Sequence, residues 1–148
     1  MAALRIAVLN GPNLNLLGVR EPEIYGHATL ADIERGLRVV GDELGVELWF
    51  AQFNGEGDFV TAVQGLSGVS DGAIVNAGAY AHYSLALHDA FTSVRVPFVE
   101  VHISNVFARE PERHRLVLAD AAVGVVSGLG AYGYEAALRA LVSRLTTA

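Results

Sequence analysis

Cysteine and lysine are both absent from this 148-residue chain. Without cysteine there is no disulfide, no thiolate nucleophile and no cysteine-ligated metal. All ten basic residues are arginine, so a Schiff-base mechanism within the chain is excluded. Positive charge is scarce as well. A net charge of −6 argues against nucleic acid or an anionic membrane as the main partner. No apolar run approaches the length of a membrane span, and no basic segment with an apolar successor resembles a secretion signal. The expected location is the cytoplasm. Any chemistry is left to histidine, tyrosine, arginine, carboxylates and amides.

The chain holds 52% hydrophobic residues and has a mean hydropathy of +0.37. That is high for its size and suggests a fully buried parallel sheet or extensive subunit contacts. Five apolar runs read as strands: Leu4–Leu9, Val46–Phe53, Gly72–Val75, Pro97–Val101 and Ala121–Val126. Between the first two, Leu30, Ile33, Leu37, Val40 and Leu44 repeat at helical spacing, with Thr29 as N-cap and Gly45 as stop. Asp58–Leu66, Ser84–Phe91 and Tyr134–Leu145 read as further helices, and Asn105–Ala119 is assigned one more. Alternating β and α elements imply parallel strands joined by right-handed crossovers. The expected architecture is one α/β domain over residues 1–148. It has a flavodoxin-like five-stranded parallel sheet, helices on both faces and strand order 2-1-3-4-5.

The long connection from Leu9 to Gly26 is the most informative segment. Loops of this length in compact α/β domains are usually lids or binding segments. Ligands of open α/β sheets sit beyond the carboxyl ends of the strands, and the unusual polar residues cluster there. Strand one runs into Asn10–Tyr25, strand three into Asn76–His82, and strand four into Glu100–Asn105 with Arg109 and Arg113 beyond. Each piece has a plain alternative: a turn, a helix cap, a satisfied core histidine, a solvated charge. Glu100 is harder to dismiss. Strand alternation puts Phe98, Glu100 and His102 on one face, so a costly buried carboxylate has an imidazole beside it. Such a carboxylate holds one ring tautomer and supports a protonated ring, which suits a general acid. Arg20 near Tyr25 would stabilise a phenolate, the matching base. Within the loop, Asn10–Asn15 reads as a fixed amide-lined floor and Val19–Tyr25 as a mobile flap. No Walker A or G-x-G-x-x-G follows the first strand, Gly128-Leu-Gly130 reads as a tight turn, and His82, His88 and Asp89 lack metal-ligand spacing.

These residues together resemble a known family. The motifs are Asn10-Gly-Pro-Asn-Leu-Asn-Leu-Leu-Gly18, Arg20-Glu-Pro, Tyr25-Gly, Asn76-Ala-Gly-Ala, Glu100-Val-His-Ile-Ser-Asn105, Ala108-Arg-Glu-Pro111 and Gly128-Leu-Gly. In this order, over Leu4 to Leu145, they are similar to type II 3-dehydroquinate dehydratase. The resemblance implies anti elimination of water from 3-dehydroquinate to give 3-dehydroshikimate, with no metal or cofactor. It implies Tyr25 as the base at C2, with Arg20 and nearby Arg113 favouring its phenolate. Asn13 would hold a water at the developing enolate. His102, oriented by Glu100, would protonate the departing C1 hydroxyl. Asn76 and the backbone amides of Ile103 and Ser104 would receive the carboxylate. His82 and Arg113 would contact ring hydroxyls, as would Asp89 from a neighbouring subunit. It also implies trimers assembled into dodecamers.

The chain departs from the family pattern at Phe53, Gly55, Ala81, Tyr83, Phe107, Glu112 and Arg115, none of them assigned to catalysis. Two other readings stand beside the lyase. One is a divergent flavodoxin-like binding module without turnover, for which an acid/base pair would be superfluous. The other is a flavin- or nucleotide-binding protein, disfavoured by the missing phosphate loops and by a single Trp49 inside a strand. Fold alone does not separate them.

Overall fold

The computed structural model describes residues 2–147. Ten regular elements alternate along the chain: β1 (Arg5–Asn10), α1 (Pro22–Tyr25), α2 (Leu30–Leu44), β2 (Glu47–Gln52), α3 (Glu56–Gln64), β3 (Gly72–Asn76), α4 (Leu85–Val94), β4 (Phe98–His102), β5 (Gly124–Ser127) and α5 (Tyr132–Thr146). All strand pairings are parallel, and the sheet order is β2-β1-β3-β4-β5, the expected flavodoxin-like arrangement. Every residue of β3 and β4 is buried, as strands covered on both faces must be. One face carries Ile6, Val8, Ile74, Val99 and Val101 against α2 and α5. The other carries Ala7, Leu9, Ala73, Val75 and Phe98 against Phe59 of α3 and Leu87 and Phe91 of α4.

Thr29 caps α2 through a reciprocal box: its hydroxyl accepts from the Asp32 amide, and the Asp32 carboxylate accepts from the Thr29 amide. Gly45 ends the helix in the left-handed conformation. The other helices begin or end within a few residues of expectation. β5 is shorter than expected, because Ala119–Ala121 is a 3-10 turn and pairing starts only where Gly124 meets Val99.

One expectation fails. Asn105–Ala119 is not an α-helix but two short 3-10 turns, Val106–Ala108 and Pro111–Arg113, before the turn at Ala119. Pro111 cannot donate within a helix and forces its predecessor into extended backbone. Glu110 adopts that conformation, and so does Arg109. A second element, α1, went unanticipated. Glu21 takes φ +37° before Pro22 opens the single turn that ends at Tyr25.

At the carboxyl edge, the loops after β1 and β3 approach very closely. The Gly11 amide donates to the Asn76 carbonyl at 2.8 Å. A Cβ on Gly11 would lie 2.2 Å from the Ala77 carbonyl oxygen, so only glycine fits there.

Candidate active site

A cavity open to solvent lies at that edge. Asn13, Arg20, Tyr25, Asn76, His82, His102, Ile103, Ser104, Arg109 and Arg113 contribute to its wall, with no carboxylate among the lining residues. In a chain of net charge −6, this is a concentrated patch of positive charge. Its low-dielectric walls favour an anionic ligand.

The floor comes from the loop after β1. Asn13 sits at φ +67°, a region asparagine tolerates better than most residues. Its amide donates to the Asn54 side-chain oxygen at 3.1 Å. Gln52 ties the same Asn54 oxygen to the Gly11 carbonyl with bonds of 3.0 Å each. Tyr80 donates to the Asn54 carbonyl at 2.5 Å. The left-handed turn is therefore held from β2 and from the segment after β3.

The flap delivers a phenol between two guanidinium groups. Arg109 Nη1 donates to the Tyr25 oxygen at 2.9 Å and Arg20 Nη2 at 3.4 Å. Both cations also lie over the ring, 4.5 Å (Arg20) and 5.2 Å (Arg109) from its centroid. Two N–H donors on one oxygen stabilise the charge it carries as phenolate. The second arginine bonded to this oxygen is Arg109, whereas the resemblance implied Arg113 nearby. Arg113 lines the cavity too, but its Nε lies 2.6 Å from Glu110 Oε1.

Opposite chemistry sits at the end of β4. His102 and Glu100 are 5% and 0% exposed. His102 Nε2 lies 2.5 Å from Glu100 Oε2. A carboxylate only accepts, so Nε2 carries the hydrogen and Nδ1 is the nitrogen left for a ligand. Glu100 stays behind the ring and is not among the residues that line the cavity.

The His82 ring stacks 5.9 Å from that of His102. Its Nδ1 donates to the Arg115 carbonyl at 2.9 Å, which leaves Nε2 as an acceptor. Burial holds His82 below the ordinary histidine pKa, more than offsetting that carbonyl, with the neighbouring His102 and Arg113 adding to the shift. A neutral His82 does not oppose charge on His102 and can take a hydroxyl hydrogen.

Asn76 lines the cavity from the end of β3, while Ile103 and Ser104 follow directly on β4. Asp89 lies apart on α4, with its side chain 79% exposed and Oδ1 3.3 Å from His88 Nδ1. The seven departures from the family pattern all fall outside the lining. Phe53 packs on Phe59 at 5.3 Å, and Tyr83 lies edge-on to Tyr80 at 5.9 Å. Among the described residues, no helix is long and apolar enough to cross a membrane.

Comparison with known proteins agrees with this geometry. Residues 4–142 match the family described as Dehydroquinase class II. A 3-dehydroquinate dehydratase from Gemmatimonas aurantiaca is 59% identical over 140 residues, covering 95% of this chain and 92% of that one. A catabolic 3-dehydroquinase from Penicillium rubens is 51% identical over 133 residues, 90% of this chain and 86% of that one. The crystal structure of a type II dehydroquinase from Butyrivibrio crossotus superposes with a TM-score of 0.92 at 38% identity, covering 94% of this chain and 97% of the other.

Proposed function

The chain belongs to the dehydroquinase class II family, and on that premise we propose that its arginine-lined cavity removes water from 3-dehydroquinate by anti elimination, giving 3-dehydroshikimate. The observation that carries this reading is the Tyr25 oxygen held by Arg20 and Arg109 in a cavity free of carboxylates. A carboxylate-bearing substrate is drawn to such a wall, and an elimination next to a ketone needs the base it holds.

As phenolate, Tyr25 takes a proton from C2, and the electron pair moves into the enolate at the C3 ketone. A water held at Asn13 faces the developing charge. The enolate then reforms the ketone as the C1–oxygen bond breaks. His102 gives its proton to the departing hydroxyl, which leaves as water. Tyr25 has gained one proton and His102 has lost one, so exchange with solvent restores both. Asn76 with the amides of Ile103 and Ser104 receives the substrate carboxylate, and His82 and Arg113 take ring hydroxyls. No cofactor enters any step.

The reading extends to assembly and location. Self-association into trimers and dodecamers, with Asp89 reaching a neighbouring site, is supported by exposed Tyr83, Leu85 and Phe107. Two of these adjoin lining residues His82 and Val106 in the chain. A cytoplasmic location fits a small diffusible substrate.

Incubation of the protein with 3-dehydroquinate, followed through the ultraviolet absorbance of the conjugated enone, tests the activity. No signal at high protein concentration overturns it in favour of a binding module. A second measurement separates the two arginines. Arg109→Ala is expected to lower kcat about 10- to 100-fold, the equivalent of one charge-assisted hydrogen bond of about 1.5–3 kcal/mol. Arg113→Ala is expected to act mainly on KM. A larger kcat loss for Arg113→Ala than for Arg109→Ala would return the phenolate role to Arg113.

A further inference from the structure

We propose that Tyr134, a residue of α5 with no surface in the cavity, acts with the Gly78 backbone amide to hold the Asn76 amide in one direction and so makes that site a receptor for a carboxylate. The proposal rests on the reading above that Asn76 meets the substrate carboxylate.

Asn10 and Asn76 are register partners at the carboxyl ends of adjacent strands. One side chain from α5 spans both. Tyr134 is 0% exposed. Its hydroxyl lies 2.6 Å from Asn10 Oδ1 and 2.9 Å from Asn76 Nδ2. An asparagine amide can in principle face either way, but the network fixes the direction. The Gly78 backbone amide, which can only donate, lies 3.1 Å from Asn76 and identifies the atom facing it as Oδ1. Asn76 Nδ2 therefore faces Tyr134 and donates to its oxygen. The phenolic hydrogen must then go to Asn10 Oδ1. Burial raises the Tyr134 pKa far enough that this hydrogen is present at any working pH.

The consequence lies in the remaining group. With Oδ1 taken by Gly78 and one Nδ2 hydrogen taken by Tyr134, the second Nδ2 hydrogen is the free group of the Asn76 amide. A carboxylate needs a donor there, and a flipped amide would meet it with an oxygen. Tyr134 and Asn10 add to the Gly78 amide in guarding against that flip. They are positioning residues, since neither touches the substrate.

Tyr134→Phe removes one oxygen and keeps the buried ring. Its expected phenotype is a KM raised about tenfold with kcat little changed, since carboxylate binding is shared by ground and transition states. The diagnostic readout is selectivity, measured by calorimetry with quinate, a ring carboxylate, and quinamide, its primary amide. The preference of the wild type for quinate is expected to shrink about tenfold in the variant, the ratio that corresponds to about 1.4 kcal/mol. Asn10→Leu keeps the phenol but removes its acceptor, so the same collapse is expected. This variant covers the case in which Tyr134→Phe folds poorly.

Parallel weakening toward both ligands would mean a merely structural role and overturn the proposal, as would unchanged selectivity. Turnover of 3-dehydroquinate by the wild type is read separately. Its absence would sink the lyase, while the calorimetric ratio would still report how Asn76 faces.

Discussion

Tyr25→Phe is expected to bind 3-dehydroquinate nearly as well as the wild type and to turn it over about 100- to 10,000-fold more slowly, the usual span for a positioned acid or base. The substitution deletes the atom on which two guanidinium groups converge and little else. The ring remains between Arg20 and Arg109, whose cations lie 4.5 and 5.2 Å from its centroid, so the flap keeps its packing. Three side chains on the wall could accept a proton: Tyr25, His82 and His102. His102 is committed to its carboxylate on one nitrogen and is the proposed acid. His82 is the serious competitor, because burial keeps it neutral. Steady-state kinetics on Tyr25→Phe and His82→Ala side by side decide the matter. If His82 were the base, His82→Ala would lose turnover and Tyr25→Phe would keep near-normal kcat. The tyrosine assignment predicts the reverse, with His82→Ala acting chiefly on KM.

What could be read from the residues alone followed the physics of each segment. The sheet was legible because buried parallel strands are written as continuous apolar runs. The Glu100–His102 pair was legible because strand alternation alone puts the two residues on one face. Tyr25 and Arg20 stood out as polar residues in an overlong loop. Arg109 did not stand apart from Arg113 for a local reason. Read as one helix, Asn105–Ala119 makes Arg109 and Arg113 equivalent. With extended backbone before Pro111, Arg109 reaches the phenol while both arginines have Nε near Glu110 Oε1. Asn54 and Tyr134 carry no such signal. Asn54 reaches Asn13 across 41 residues of sequence. Tyr134 bonds to Asn10 across 124 residues and reads in its helix as one more core aromatic. Long-range hydrogen bonds of this kind have no periodicity, so only the folded arrangement reveals them.

His102→Ala carries the second large effect, and it has two parts that must be separated. Loss of the acid is expected to lower kcat about 100- to 10,000-fold. The same change strands Glu100, which is wholly buried, whose Oε1 has no hydrogen-bond partner among the described residues, and whose Oε2 has His102 as its partner. Removing one member of a buried pair is expected to cost about 3–5 kcal/mol of stability, because an uncompensated charge remains in the interior. A low rate in this variant could therefore reflect a damaged fold. The double variant Glu100→Gln/His102→Ala resolves the ambiguity. Glutamine is isosteric with glutamate and uncharged, so thermal unfolding should recover most of the lost stability. The acid is still missing, so kcat should stay low. A double variant that regained both stability and turnover would show His102 to be a structural counter-charge, and the proton for the departing hydroxyl would then have another source. A stable double variant that stays inactive leaves His102 as the acid, with Glu100 acting through it.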